Sequence, residues 1–182
     1  HAQDHAQLFT RVCAALERLD LSVQDARIYN ANDGMTLDTF FVLDSEGKSI
    51  AEDGARLNHI RSHLGKALGK APDGDDTVQR RTPRAKKSFS IPTETSMDVD
   101  EVKNYSVLEI SSPDRPGLLA RVGRIFVDFD IELQAAKIQT LGERVEDVFF
   151  ITDSNQQPIT DPDLCAAIQQ AIRDELDEQA VA

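Results

Sequence analysis

An internal repeat is the feature of this sequence that most constrains its fold. Eight identities recur in register at an offset of 110 residues, and four more recur at an offset of 109 after one residue drops out of a Gly-containing loop. The residues of the first copy are Asp4, Leu8, Arg11, Val12, Asp20, Gln24, Ala26, Ile28, Asp38, Phe40, Phe41 and Asp44. Their counterparts are Asp114, Leu118, Arg121, Val122, Asp130, Gln134, Ala136, Ile138, Asp147, Phe149, Phe150 and Asp153. Since a dozen matches with one gap are hard to obtain by chance, we predict two copies of one supersecondary unit.

Each copy is predicted to run helix, strand, strand, helix. An apolar stripe at helical spacing marks the first helix of both copies, and apolar runs with strand periodicity follow it. The predicted strands cover 21–29, 39–42, 131–139 and 148–151, and the second helices lie near 54–68 and 161–176. The apolar alternation skips a beat in both first strands, at Asp25-Ala26 and at Ala135-Ala136, which predicts a shared β-bulge.

Two further strands extend this unit. Residues 105–111 read as a strand before the first helix of the second copy, and 87–99 as a closing strand of the first copy. The prediction is therefore an α+β fold with two ferredoxin-like βαββαβ modules in tandem. The first module lacks its opening strand and the second its closing strand. We assign 1–100 to the first module, including a linker at 69–86, and 104–182 to the second.

Composition and charge exclude several classes of function. The net charge of −12 is concentrated in residues 104–182, and such an acidic surface repels the phosphates of nucleic acids. No apolar run approaches the roughly 20 residues that a membrane-spanning helix needs. Cys13 and Cys165 match no metal-binding or redox spacing, so both are predicted to be small buried residues in a reducing cytoplasm.

The sequence contains no pattern that predicts catalysis or a metal site. His59 and His63 lie four residues apart, but no carboxylate or third His is placed to complete a metal site. The acidic loop at 73–76 lacks the length and the final Glu of a calcium loop. We therefore expect no metal and no catalytic residue in this chain. The basic stretch at 79–87 has two open interpretations, a solvated linker or a docking patch for an acidic surface.

One segment has the physical properties of a small-ligand site. At Asp114-Arg115-Pro116-Gly117-Leu118 a strand turns sharply into a helix, and Gly117 allows close approach to the main chain. The first helical N–H groups lack intrahelical acceptors and favour a carboxylate. Asp114 or Arg115 could pair with the charged ends of an amino acid. The alternative, an ordinary capped helix, stays equally open on physical grounds alone.

This turn and the repeat resemble the ACT domain, a small amino-acid-sensing module. Together with 140–149 in the second copy, and 23–28 and 33–40 in the first, they resemble more specifically the tandem ACT region of bifunctional uridylyltransferase/uridylyl-removing enzymes. The resemblance implies a cytoplasmic, regulatory region that senses glutamine. Other domains of such enzymes transfer UMP to a tyrosine of the PII nitrogen-regulatory protein and hydrolyse it off again, with Mg²⁺. Because the chain starts at His1 rather than Met, we expect a piece of such a protein.

The resemblance also implies which residues bind the ligand. In the second copy they are Asp114, Arg115, Pro116, Gly117 and Leu118, and in the first copy Asp4, His5 and Gln7. The first copy departs from the pattern, since Asp4-His5-Ala6-Gln7 lacks the Pro-Gly pair, so the two sites are expected to be inequivalent. A homodimer is expected, although the two copies could also cover each other within one chain. The alternative function is a stand-alone tandem ACT regulator that acts through protein–protein contacts.

Overall fold

The computed structural model describes residues 2–30, 36–69 and 91–177. The helices are α1 (Ala2–Arg18), α2 (Gly54–Gly69), α3 (Leu118–Asp128) and α4 (Pro162–Asp177). The strands are β1 (Leu21–Asn30), β2 (Thr36–Asp44), β3 (Glu94–Asp100), β4 (Tyr105–Pro113), β5 (Glu132–Lys137), β6 (Thr140–Leu141) and β7 (Arg144–Thr152). The basic stretch at 79–87, most of the predicted linker and the loop before β2 lie outside the described residues.

Two hairpins with the same register reproduce the sequence repeat in three dimensions. In β1–β2, Ala26 pairs with Phe40, and in β5–β7 the equivalent Ala136 pairs with Phe149. The register shifts by one residue between Val23 and Asp25, and at the equivalent place between Leu133 and Ala135. The predicted shared bulge is confirmed, and it lies at the matched residues Gln24 and Gln134.

The first helices of both copies also end alike. Asp20 and Asp130 follow α1 and α3 with φ angles of 57° and 53°, in the left-handed region. A short polar side chain such as Asp tolerates this conformation better than a β-branched one. The identity of these two residues in the repeat therefore reflects how each helix passes into the following strand.

The strand β3 joins the sheet of the second copy and not that of the first, contrary to the prediction. It pairs with β4 along its whole length, from Glu94 opposite Ser111 to Asp100 opposite Tyr105. The larger sheet has the order β3-β4-β7-β5, with β6 also paired to β7, whereas β1 and β2 form a separate two-stranded sheet. The strand that was predicted to close the first module thus fills the outer position of the second module's sheet. The domain limits 1–100 and 104–182 stay a prediction.

The two copies share one hydrophobic core. Contacts between α1 and α3 and between β1 and β5 join them, and the buried cluster includes side chains from both. Phe149 makes edge-to-face contacts with Phe126 of its own copy and Phe9 of the other, at centroid distances of 5.2 and 6.3 Å. The two helices approach closely at Gly123, where a Cβ atom would lie 2.3 Å from Thr10 Oγ1.

Burial differs from the prediction at Cys165. Cys13 is buried as predicted, but Cys165 is only partly buried. Phe41 on β2 is 51% exposed, with the Arg27 guanidinium 5.7 Å from its ring centroid. In the part of the chain that the structure describes, no helix is both long and apolar enough to cross a membrane.

Candidate functional site

A cavity of about 480 Å³ lies where the two copies meet, at the start of α3. Both copies contribute walls. From the first copy they are Cys13, Glu17, Leu21, Ser22, Val23, Gln24, Leu43, Asp44, Ser45 and Gly47. From the second copy they are Asp114, Arg115, Pro116, Gly117, Leu118, Leu119, Ala120, Ile138, Thr140, Gly142, Val145 and Asp147. This volume is within the range of sites that enclose a small organic ligand.

The turn between β4 and α3 forms one wall, and its main chain is held from both sides. The Asp114 N–H donates to the Glu143 carbonyl at 2.8 Å, which attaches the turn to the β6–β7 connection. Gly117 precedes α3 with φ 78° and ψ 2°. A Cβ atom there would lie 3.4 Å from Glu17 Oε2, so helix α1 of the other copy closes over this glycine. Gly117 is thus favoured by its left-handed conformation, whereas an added Cβ would only reach van der Waals contact with Glu17.

Two arginines attach the turn to the end of α4. Arg121, which is buried, donates to the carbonyls of Pro116 at 3.0 Å, Gly117 at 3.5 Å and Glu175 at 3.3 Å. Arg115 donates from Nη1 to the Leu176 carbonyl. Both cations sit at the C-terminal end of α4, where the helix dipole favours positive charge. Arg115, considered above as a partner for a ligand's charged end, therefore already has a partner in the fold.

Asp147 is a buried carboxylate in the wall of the cavity. Its Oδ1 accepts a hydrogen bond from the Gln139 N–H at 3.1 Å. Within the described residues, Oδ2 has no hydrogen-bond partner. Burial raises the pKa of Asp147 to about 7, and the neighbouring Asp114 charge adds to this effect. A carboxyl group in this state changes its protonation near neutral pH.

Negative charge dominates the surroundings of the cavity. Burial raises the pKa of Cys13, and the charges of Asp147, Glu17 and Asp38 raise it further, in that order. Partial burial also raises the pKa of Asp114. Four acids, Glu17, Asp44, Asp114 and Asp147, line the cavity together with a single arginine. Such a site favours a ligand with a positively charged group over one with excess negative charge.

The structure brings together one of the two predicted sets of site residues. Asp114, Arg115, Pro116, Gly117 and Leu118 all line the cavity. Residues 4–7 instead lie inside α1, which begins at Ala2, and the described lining of the cavity comes from other positions. Without a Pro-Gly pair nothing in this segment opposes helix formation, so the expected turn is absent. Whether Asp4, His5 or Gln7 binds a ligand stays a prediction.

Sequence reasoning missed the walls contributed by Glu17, Cys13 and Asp147. For Asp147 a signal was present. It shares the buried face of β7 with Val145, Phe149 and Ile151, so an acid stands where the alternation calls for an apolar side chain. Glu17 carried no comparable signal, because an acid near a helix end is common on solvated surfaces. Among the residues that the structure describes, no group of three His, Cys, Asp or Glu side chains could hold a metal ion.

The part of the chain that contains the turn is similar to a known protein family. The ACT domain family matches residues 106–169, which contain the turn and Asp147. The chain is 48% identical over 176 residues to the bifunctional uridylyltransferase/uridylyl-removing enzyme of Azotobacter vinelandii, and 47% identical over 178 residues to that of Pseudomonas aeruginosa. These matches cover 97% and 98% of the chain but 20% of either relative, so the chain spans about a fifth of their length. No solved structure matches it. Residues 106–169 thus match the ACT domain family, and over nearly its whole length the chain is similar to a region of bifunctional uridylyltransferase/uridylyl-removing enzymes.

Proposed function

We propose that this chain is a tandem ACT region that senses glutamine and regulates a bifunctional uridylyltransferase/uridylyl-removing enzyme. The observation that carries the proposal is the cavity between the two copies, built on the turn at Gly117. The similarity to enzymes of that name supports the identity of the protein to which the region belongs. In this proposal the chain is cytoplasmic, and the parent enzyme acts on the PII protein with Mg²⁺ held elsewhere.

A tandem of two modules is supported by the hairpins. Both have a bulge at a matched Gln, and both pair an Ala with a Phe at the equivalent place. In the part of the chain that the structure describes, β7 of the second copy also pairs with β4, whereas β2 pairs with β1 alone. In this proposal the first copy is an ACT module that serves the second as one wall of the ligand site.

The cavity has the chemistry expected of an amino-acid site. At the start of α3 the N–H groups of Leu119 and Ala120 lack intrahelical acceptors, and such groups favour the α-carboxylate of a ligand. The four acids in the wall favour an ammonium group and disfavour a second carboxylate. This charge pattern supports glutamine over glutamate, because the two amino acids differ only in whether the side-chain end is neutral or negative.

Titration calorimetry tests the proposal. L-glutamine should bind the purified chain saturably, and L-glutamate should bind at least tenfold more weakly because of the acidic wall. Gly117→Val should weaken glutamine binding, since its side chain fills the gap beside Glu17. Gly117→Ala is the matched control for backbone strain, since it adds a Cβ in the same left-handed conformation without the larger side chain, and it should weaken binding less. Equal binding of glutamine and glutamate, or of neither, would refute a glutamine sensor.

We also propose that β2 provides a contact surface for a second copy of the chain. Leu37 and Phe41 are 68% and 51% exposed on this strand, and large exposed apolar side chains on one strand favour association. Light scattering of the purified chain should give the mass of a dimer. Leu37→Ser with Phe41→Ser should give 20.2 kDa, and an unchanged mass in that variant would exclude this surface.

A further inference from the structure

We propose that the Asp147 carboxylate receives the α-ammonium group of the bound amino acid, so that binding is coupled to loss of a proton from this side chain. The inference rests on the proposed function, because it assigns a role within the same cavity. It makes the site a sensor of pH as well as of the amino acid.

The hydrogen bonds of Asp147 leave one oxygen for a ligand. Oδ1 is occupied by the Gln139 N–H, whereas Oδ2 has no partner among the described residues. The residue is 1% exposed and lines the cavity. A buried carboxylate oxygen without a donor is unfavourable in the free protein. A ligand ammonium would supply the missing donor together with the opposite charge.

Among the described residues, the groups next to Asp147 do not offer that charge themselves. Cys13 on α1 and Asp114 in the turn interact with Asp147, and Glu17 and Asp38 interact with the same Cys13. All of these groups are acidic or neutral. Arg121 holds main-chain carbonyls of the turn and of α4, and Arg115 holds the end of α4. A cation that enters with the ligand is thus the group that the arrangement lacks.

The expected pH dependence follows from the state of the free carboxyl group. With a pKa of about 7, Asp147 is about half protonated at neutral pH. A bound ammonium group favours the ionised form, so it lowers the pKa of Asp147 and displaces the proton. Affinity should therefore rise with pH through the neutral range, and each pH unit below 7 should weaken binding by up to about tenfold.

The test is calorimetry of L-glutamine from pH 5.5 to pH 8 in pairs of buffers with different ionisation enthalpies. At pH 7 the wild-type chain should release about half a proton per ligand. Asp147→Asn should bind at least about tenfold more weakly at pH 8, and its affinity should not change with pH. Asp98→Asn is the matched control, because Asp98 is exposed on β3 and is not part of the described cavity wall. It should keep the wild-type pH profile.

A ligand without the amino group separates this role from a general loss of structure. Glutaramate, which is glutamine without its α-amino group, should bind weakly, and its affinity should not fall further in Asp147→Asn. If glutamine binds the wild-type chain with no proton release and no pH dependence, the assignment of Asp147 is overturned while the sensor stands. If glutamine does not bind at any pH, the sensor itself is refuted and the assignment falls with it. Should Asp147→Asn not fold, proton release by the wild-type chain decides.

Discussion

The substitution Gly123→Ala probes the contact on which the whole inter-copy site depends. At this point α3 crosses α1, and an added Cβ would lie 2.3 Å from Thr10 Oγ1, 3.2 Å from Thr10 Cβ and 3.3 Å from Phe9 Cδ1. Van der Waals contact begins near 3.4 Å, so a shift of about 1 Å is needed. Rotation of Thr10 would break the 2.7 Å hydrogen bond from its hydroxyl to the Ala6 carbonyl, and the other two contacts would remain.

The net effect is the difference between two terms. Overpacking of a fixed contact costs about 1–3 kcal/mol. Gly→Ala inside a helix contributes about 1 kcal/mol in the opposite direction through helix propensity. Because Phe9 is fully buried and cannot move away, we take the upper part of the overpacking range. After subtraction of the propensity gain, Gly123→Ala should lower the free energy of unfolding by about 1–2 kcal/mol. A chain of this length should lose about 2–4 °C in Tm for each kcal/mol.

Urea unfolding followed by circular dichroism measures this difference. Gly65→Ala in α2 is the matched control, since an added Cβ there meets nothing within 4 Å and only the propensity term remains. Gly65→Ala should stabilise the chain by about 1 kcal/mol, opposite in sign to Gly123→Ala. Thr10→Ala should remove most of the penalty when combined with Gly123→Ala, with a coupling energy of about 1 kcal/mol or more. If Gly123→Ala stabilises as much as Gly65→Ala does, the two helices do not touch as described.

Three further predictions follow from the site. Gly117→Ala and Gly47→Ala should each lose about 1–2 kcal/mol of stability in urea unfolding, because both glycines have positive φ. In urea unfolding, Arg121→Met should lower the free energy of unfolding by about 2–3 kcal/mol, and Arg121→Lys should recover less than half of that loss. The control Arg124→Met, on the same helix, should change the free energy of unfolding by no more than about 0.5 kcal/mol. The raised pKa of Asp147 means that the folded chain binds more protons than the unfolded chain between about pH 4 and pH 7, so this residue's contribution to stability falls as pH rises through that window. Asp147→Asn should therefore raise Tm at pH 8 and change it little at pH 5, and the same gain at both values would contradict the buried carboxylate.

The repeat and the helices could be predicted from the sequence, but the pairing partner of the edge strand β3 could not. The second helices were predicted to within one residue of α2 and α4, because their apolar spacing stops where the helix stops. The strands β2 and β7 extend up to four residues beyond the predicted apolar runs, since main-chain pairing continues past them. For β3, alternation indicates which face is buried. It carries no information on which sheet the strand joins, and this is why it was assigned to the wrong module.

For a similar reason, only one wall of the candidate site could be predicted from the sequence. The turn at 114–118 is encoded locally, by Pro116 and Gly117 just before a helical stripe, so it could be recognised in the sequence. The opposite wall comes from residues about a hundred positions away, and their meeting depends on how α1 and α3 cross. Asp147 is the exception, because it is an acid at a position where the alternation of the strand predicts a buried apolar side chain. The repeat shows it as an identity with Asp38, which does not by itself indicate a role.

The inequivalence of the two copies leads to a stoichiometry. In the second copy, α3 begins at Leu118, whose N–H donates to the Arg115 carbonyl at 3.3 Å. The N–H groups of Leu119 and Ala120 lack intrahelical acceptors, and both residues line the cavity. In the first copy, α1 begins at Ala2, so the N–H groups at the equivalent positions 8–10 fall inside the helix and donate to carbonyls four residues back. N–H groups without acceptors, which favour a carboxylate, are therefore present at the start of α3, whereas the equivalent groups of α1 are already hydrogen-bonded within the helix. Calorimetry should give one glutamine per chain, and two equivalent sites per chain would mean that residues 4–7 form a turn like that at 114–117 when ligand is bound.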